Sequence, residues 1–253
     1  MKIIRWIFRA SIAVVLIAVL FVSYTYISIK VPFSSRYIDW ENPKPIYDAN
    51  REISIIEDVL VREFHANRID FVSIDDMPEH LTKAFIAIED NRFYRHPGFD
   101  VKGMMRALSV NIRNREITQG GSTITQQLAR NLFLNHEQTA ERKLLEIVIA
   151  FELERQFTKE QILEMYLNQI YFGSGNWGVE QASKNYFSGT SAKEVNLSQA
   201  AALAGIIQAP NVYGPAVQVN SQIAIDQRQI VLNRMLEKGF ITNQELKNAV
   251  NKD

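Results

Sequence analysis

"AERKLLEIVIAFELERQF", residues 140–157, decides which kind of fold the chain builds. Its apolar residues recur with the period of an α-helix. Residues 144–151, "LLEIVIAF", are apolar on every side of that helix except at Glu146. Such a helix is expected to be buried, and Glu146 with it. A lone buried charge is costly, so it needs partners. Arg142 and Lys143 lie four and three residues earlier, on the same helical face. Two readings stay open. One is a structural ion pair at the start of the helix. The other is a mixed site, two cations and a carboxylate, built to receive an anionic group.

The same period runs through the text on both sides. "LTKAFIAIEDNRFY" (81–94), "VKGMMRALSVNI" (101–112) and "KEQILEMYLNQIYF" (159–172) read as helices. So do "LSQAAALAGIIQAP" (197–210) and "AIDQRQIVLNRMLEKG" (224–239). Thr158 followed by Lys159, Glu160 and Gln161 is a capping box. Asn196 and Ser198 precede an alanine-rich helix expected to stop at Pro210. Residues 224–250 read as a closing helix-turn-helix of structural purpose. Ahead of the helices, "SIIEDVLV" and "RIDFVSI" suggest a short strand pair between Tyr47 and Ser73. Residues 30–47, with Pro32, Pro43 and Pro45, read as a tether.

Residues 10–29, "ASIAVVLIAVLFVSYTYISI", are twenty residues without a charge. At about 1.5 Å per residue, a helix of that length spans a bilayer core of about 30 Å. Lys2, Arg5 and Arg9 precede it, whereas Lys30 and Arg36 behind it are diluted by Asp39 and Glu41. The charge asymmetry places residues 1–9 in the cytoplasm and the remainder outside it. A cleaved signal peptide would end its apolar run at a small-x-small site, and this run ends in bulky residues. The expected organisation is therefore a cytoplasmic stub (1–9), a transmembrane anchor (10–29), a tether with a strand pair (30–69) and one helical extracytoplasmic domain (70–253). Hydrophobic residues make up 47% of the chain, enough for a sizeable core. Lys+Arg and Asp+Glu both total 28, which argues against nucleic acid as a partner. Without cysteine, disulfide and thiolate chemistry are excluded.

Two further stretches carry chemistry. In "LTKAFIAIEDNRFY" the residues Leu81, Phe85, Glu89 and Phe93 are spaced four apart and form an inward stripe, with Asp90 and His96 beside its end. A carboxylate in apolar company has a raised pKa and suits general acid or base work near neutral pH. The alternative is a carboxylate that caps the helix or pairs with Arg92. "TQGGSTITQQLARN" (118–131) packs hydroxyls and amides around Gly120-Gly121 with one charge, Arg130. Its glycines let backbone approach a ligand closely, and Ser122, Thr123, Thr125, Gln126 and Gln127 could line a phosphate or sugar. A plain Ser/Thr-capped helix fits the same residues, and its N-terminus favours an anion in either case. His65, His80, His96 and His136 have no metal-ligand spacing.

These residues resemble the motifs of the peptidoglycan glycosyltransferases, the transglycosylase domain of the penicillin-binding-protein family (glycosyltransferase family 51). "AIEDNRFYRHPGFD" is similar to that family's Glu-Asp-x-x-Phe-x-x-His-x-Gly motif. "GGSTITQQLARNLFL" resembles its second motif, "ERKLLE" its third and "QILEMYLNQIYFG" its fourth, all in the family order. "GVEQASKNYF" and "ALAGIIQAPNVYGP" resemble its following segments. The resemblance covers about residues 70–215. No penicillin-binding Ser-x-x-Lys segment follows, so a monofunctional member is expected.

The resemblance implies a mainly α fold, a lysozyme-like helical head lobe with a smaller membrane-proximal jaw lobe. It implies lipid II and the nascent glycan strand as substrates, joined by an inverting transfer. Glu89 would be the general base and Glu146 the second catalytic carboxylate, orienting Arg142 and Lys143 at the leaving pyrophosphate. Asp90, Phe93, His96, Gly98, Gly121, Ser122, Thr123, Gln126, Gln127 and Arg130 would complete substrate binding. No cofactor is required, although a divalent cation, Mg or Mn, could assist at the pyrophosphate. The membrane and other cell-wall synthesis proteins are the expected partners. In "VKGMMRALSVNIRNR", Val101, Met104, Met105, Leu108 and Ile112 form an apolar stripe beside Lys102, Arg106, Arg113 and Arg115. Such a helix either lies in the bilayer interface or packs on a core. Two rival functions remain: a glycan hydrolase on the same fold, and a membrane-anchored scaffold without catalysis.

Overall fold

The computed structural model describes residues 70–114, 120–134 and 139–250. The anchor, the tether and most of the expected strand pair lie outside the described residues. Among the described residues no helix is long and apolar enough to cross a membrane.

Among the described residues ten helices follow one another: α1 (Glu79–Glu89), α2 (Val101–Asn114), α3 (Ile124–Phe133), α4 (Ala140–Gln156) and α5 (Lys159–Gln169), then α6 (Val179–Tyr186), α7 (Leu197–Ile206), α8 (Pro210–Gln218), α9 (Gln222–Glu237) and α10 (Asn243–Val250). The chain is mainly helical, as its periodicity predicts. The cap residues act as expected. Thr158 and Asn196 each accept a backbone N–H from the residue three positions on, and each closes a capping box. Thr123 does the same for α3 through Gln126. The closing helix-turn-helix is α9 and α10.

The centre of the core is α7, wrapped by α1 and α9. Ala200, Ala201, Leu203 and Ala204 of α7 are fully buried. Small side chains there let the neighbouring helices come close, and Val231, Leu232 and Met235 of α9 fill the space on one side. Phe85 of α1 meets Phe172 edge-on at 6.0 Å between ring centres. A second packing unit, α3 on α4 and α5, is joined to this core through Ile124, Leu128 and Leu132.

Four expectations need correction. The described end of the strand pair, from Asp70, carries no strand, and Ile74–Asp76 form a 3₁₀ turn. Its backbone groups go to side chains of α5 instead of to a second strand. The Asn168 amide takes both the N–H and the C=O of Val72, each at 2.8 Å, and Glu164 takes the Ile74 N–H at 2.6 Å. The helix expected across residues 81–94 ends at Glu89. Asp90 leaves helical geometry (φ −154°, ψ 72°), and Phe93–Arg95 form a separate 3₁₀ turn. Helix α4 is not buried all round. Ala150 and Leu153 are inside, but Phe151 is 49% exposed, because α3 and α5 cover only one side. Pro210 begins α8 instead of closing α7, which stops at Ile206. Proline's missing N–H and preset φ suit a first helical turn.

Candidate active site

Glu89 is the last residue of α1 and Asp90 its C-cap. Both carboxylates line one cleft with Gly120, Gly121, Ser122 and Thr123, the segment that leads into α3. Asp100 and Arg106, at the start and on the outer face of α2, form the other wall. Leu81 and Phe85 of the apolar stripe are fully buried, as read from the sequence, whereas Glu89 at its end is half-buried and faces the cleft.

Burial is the main reason that the Glu89 carboxyl sits above its ordinary range. The hydrogen bond from Gln127 acts against the shift, the charge of Asp90 adds to it, and the charge of Arg130 opposes it. The Gln127 Nε2 donates to Glu89 Oε2 at 2.6 Å. Behind it, the buried Tyr166 of α5 donates its hydroxyl to Gln127 Oε1 at 3.2 Å. Burial foremost, and the nearby carboxylates, hold the Tyr166 hydroxyl well above its usual range. It remains a donor at any working pH.

Asp90 is buried and serves as an anchor. One of its oxygens accepts the Ile124 backbone N–H at 3.1 Å, and both accept from His96 Nε2, at 3.0 and 2.9 Å. This ties the loop after α1 to the first turn of α3. The buried position of Gly98 completes the tie. Its carbonyl accepts from Thr123 Oγ1 at 2.6 Å, and its φ is +90°. A Cβ there would lie 2.7 Å from the Ala150 carbonyl oxygen, so only glycine fits.

On α4 the expected ion cluster is present. Glu146 is 1% exposed. Lys143 Nζ lies 2.6 Å from its Oε2, and Arg142 Nε lies 3.2 Å from Oε1, without the alignment of a hydrogen bond. Lys143 also donates to Ser122 Oγ at 2.8 Å, which carries a cation to the edge of the cleft. A second buried chain supports this wall from behind. Thr125 donates to Glu154 at 2.6 Å, and Lys159 donates to Glu154 at 2.7 Å and to the His96 carbonyl at 2.8 Å.

The structure thus brings Glu89, Asp90, Gly121, Ser122, Thr123, Gln127, Arg142, Lys143 and Glu146 into one neighbourhood. Arg130 lies one turn beyond Gln127, on the same side of α3. Phe93 and Gln126 have no exposed surface, and His96 is nearly as buried. Together with Gly98 they stand behind the cleft wall and hold it. Tyr166, Asp100, Arg106 and the Glu154–Lys159 pair were not legible as site residues. Tyr166 has the spacing of a core aromatic, and nothing in one sequence shows that its hydroxyl ends on Gln127. The carboxylate Glu146 is already paired with two cations, and no group of three or more His, Asp or Glu is placed to hold a metal among the described residues. Around Lys143 stand the Arg142 guanidinium, the Ser122 hydroxyl and the already paired Glu146 carboxylate.

The family model described as Transglycosylase matches residues 57–236, most of the chain. The chain belongs to the transglycosylase family. Its curated relatives include penicillin-binding protein 1A of Aquifex aeolicus, 50% identical over 182 residues, which are 72% of this chain and 25% of that protein. Penicillin-binding protein 1A of Escherichia coli is 40% identical over 88% of this chain and 25% of its own length. Penicillin-binding protein 1F of Bacillus subtilis is 38% identical over 86% of this chain and 30% of its own length. The chain therefore spans about a quarter to a third of the relatives it matches. A crystal structure of penicillin-binding protein 1A from Haemophilus influenzae overlaps with 73% of this chain and 18% of its own, at 22% identity. The TM-score of that overlap is 0.41. The cleft and the Arg142–Lys143–Glu146 cluster both fall inside the matched transglycosylase region, a glycosyltransferase domain of the penicillin-binding-protein family.

Proposed function

We propose that the protein polymerises lipid II into β-1,4-linked glycan strands and releases polyprenyl pyrophosphate, with Glu89 as general base. One observation carries this reading: a desolvated carboxylate faces, across one cleft, a wall of hydroxyls and backbone backed by a cation pair. In the proposed step, Glu89 takes the proton of the acceptor sugar's 4-hydroxyl. That oxygen forms a bond to the donor's anomeric carbon as the carbon–pyrophosphate bond breaks, and the electron pair leaves with the pyrophosphate. One displacement inverts the centre, so an α-linked donor yields a β link. A positioned base of this kind contributes roughly 10²–10⁴-fold.

Lys143 and Arg142 would stabilise the charge that develops on the pyrophosphate, as fixed charges in a partly desolvated site do best. Glu146 would hold both cations in place, and the Ser122 hydroxyl with the backbone of Gly121 and Thr123 would orient the donor. A divalent ion, where one takes part, would be held by the substrate's own phosphates, since the cluster offers it no open carboxylate.

The reading includes a membrane location. Residues 10–29 would anchor the chain, with the helical domain outside the cytoplasm. Helix α2 would lie against the bilayer as part of the smaller lobe. Its Met105 and Ile112 are 62% and 68% exposed, and Lys102, Arg106 and Arg113 are exposed beside them.

The test is to incubate the full chain with labelled lipid II in liposomes. The account expects a polymer that lysozyme digests and a stoichiometric release of polyprenyl pyrophosphate. Cleavage of preformed glycan without polymer formation supports hydrolysis instead, and intact lipid II supports a scaffold.

A further inference from the structure

We infer that Tyr166 is a positioning residue for the general base, acting through Gln127 to keep the Glu89 carboxylate ionised and aimed into the cleft. The inference rests on the reading of Glu89 as base and adds a residue to it. Three groups on three helices form one line: the Tyr166 hydroxyl (α5), the Gln127 side-chain amide (α3) and the Glu89 carboxylate (α1). The first bond is 3.2 Å and the second 2.6 Å, and all donors point the same way.

The direction has a chemical reason. An ionised carboxylate only accepts, so it requires the NH₂ end of Gln127. That leaves the amide oxygen facing Tyr166, where a hydroxyl donor satisfies it. A phenol donates more strongly than it accepts, so Tyr166 favours this orientation over the flipped one. In a chain of hydrogen bonds each bond polarises the next, so the phenol strengthens the bond that ends on the charge. The flipped amide would present its oxygen to Glu89 and favour the protonated acid, which is useless as a base. Tyr166 can supply its proton throughout, because it is buried and kept neutral.

Other charged groups near Glu89 do not explain away this chain. Asp90 and Arg130 act on Glu89 in opposite directions. His96 is engaged with Asp90. Asp100 and Arg106 stand on the far wall, and Lys143 and Glu146 are behind Ser122. None of these changes when the Tyr166 hydroxyl is removed.

The experiment titrates the full chain in detergent, labelled with carboxyl-¹³C glutamate. The Glu89 signal is identified by its loss in Glu89→Gln. Wild type, Tyr166→Phe, Gln127→Ala and the double variant are compared, and the pH dependence of kcat/KM is measured alongside. In Tyr166→Phe the Glu89 midpoint should rise by roughly half to one pH unit, the equivalent of one ordinary hydrogen bond. The acid limb of the rate profile should follow it, with the plateau at higher pH largely retained. The double variant should titrate like Gln127→Ala alone, since Tyr166 acts only through that residue. An unmoved midpoint, a further shift in the double variant, or a uniform loss of rate without a shifted limb overturns the inference. Gln127→Ala must raise the midpoint at least as far, which covers a poorly folding Tyr166→Phe. If the midpoint moves but the acid limb does not, the base reading of Glu89 fails while the coupling stands.

Discussion

Glu146 and its two cations should respond very differently to losing the anion and to losing a cation. Glu146→Gln keeps the shape and removes the charge. Lys143 then loses its 2.6 Å contact but keeps Ser122, and the Arg142 contact was never an aligned hydrogen bond. The side chains of Arg142 and Lys143 are 15% and 37% exposed, so both cations can turn toward water. The loss is one charge-assisted hydrogen bond, about 1.5–2 kcal/mol. Lys143→Met is worse, because it leaves a 1% exposed carboxylate that cannot turn. Arg142 remains, so the cost falls near the lower end for a broken buried pair, about 3 kcal/mol. At about 3 °C per kcal/mol for a domain of this size, Tm should fall by about 5 °C in Glu146→Gln and about 9 °C in Lys143→Met. The assay is a reversible thermal melt by circular dichroism, with the double variant included. The double variant should lose less than the sum, since it buries no orphan charge. Equal losses in the two single variants, or additive losses in the double, would refute the claim that Glu146 is a desolvated anion dependent on Lys143.

Other outcomes follow from the same geometry. Glu89→Gln should raise Tm at neutral pH. A carboxyl whose folded pKa is raised contributes stability below its unfolded pKa and loses it as pH rises through the folded value, and the amide carries no such loss; melts at pH 4 and pH 8 should show the gain only at the higher pH. Gly98→Ala combines a positive φ with a 2.7 Å backbone clash, so it should cost about 2–4 kcal/mol and lower activity with stability, read from the same melts and from polymer yield. Met105→Glu with Ile112→Glu should reduce the quenching, by lipid-borne quenchers in liposomes, of a fluorescent label attached through Ser109→Cys on α2, while leaving the melt unchanged, because both side chains are already exposed.

The helical period and the caps made most of the fold legible. Thr158 and Asn196 announced their helices because the capping box is local chemistry, contained within four residues. The boundary at Glu89 was hidden for the opposite reason. Asp90 leaves the helix to reach Ile124 and His96, and the bond to Ile124 spans 34 residues. The absent strand near Val72 has the same cause, since Asn168, 96 residues away, supplies the partner. In the site, Arg142, Lys143 and Glu146 could be grouped from spacing, because one helical face carries all three. Tyr166 could not, because its hydroxyl meets Gln127 only after α3 and α5 have packed. The helix of residues 140–157 looked buried all round because composition shows how apolar a face is, not whether a neighbour covers it.

The role proposed for Glu89 is that of the general base in lipid II polymerisation. Its most direct measurement is single-turnover polymerisation of labelled lipid II by wild type and Glu89→Gln, across pH, with melts of both proteins. The account predicts polymer from the wild type with an acid limb above the ordinary carboxylate range, and a loss of roughly 10²–10⁴-fold in a folded Glu89→Gln. Polymer formed at the wild-type rate by folded Glu89→Gln would contradict it.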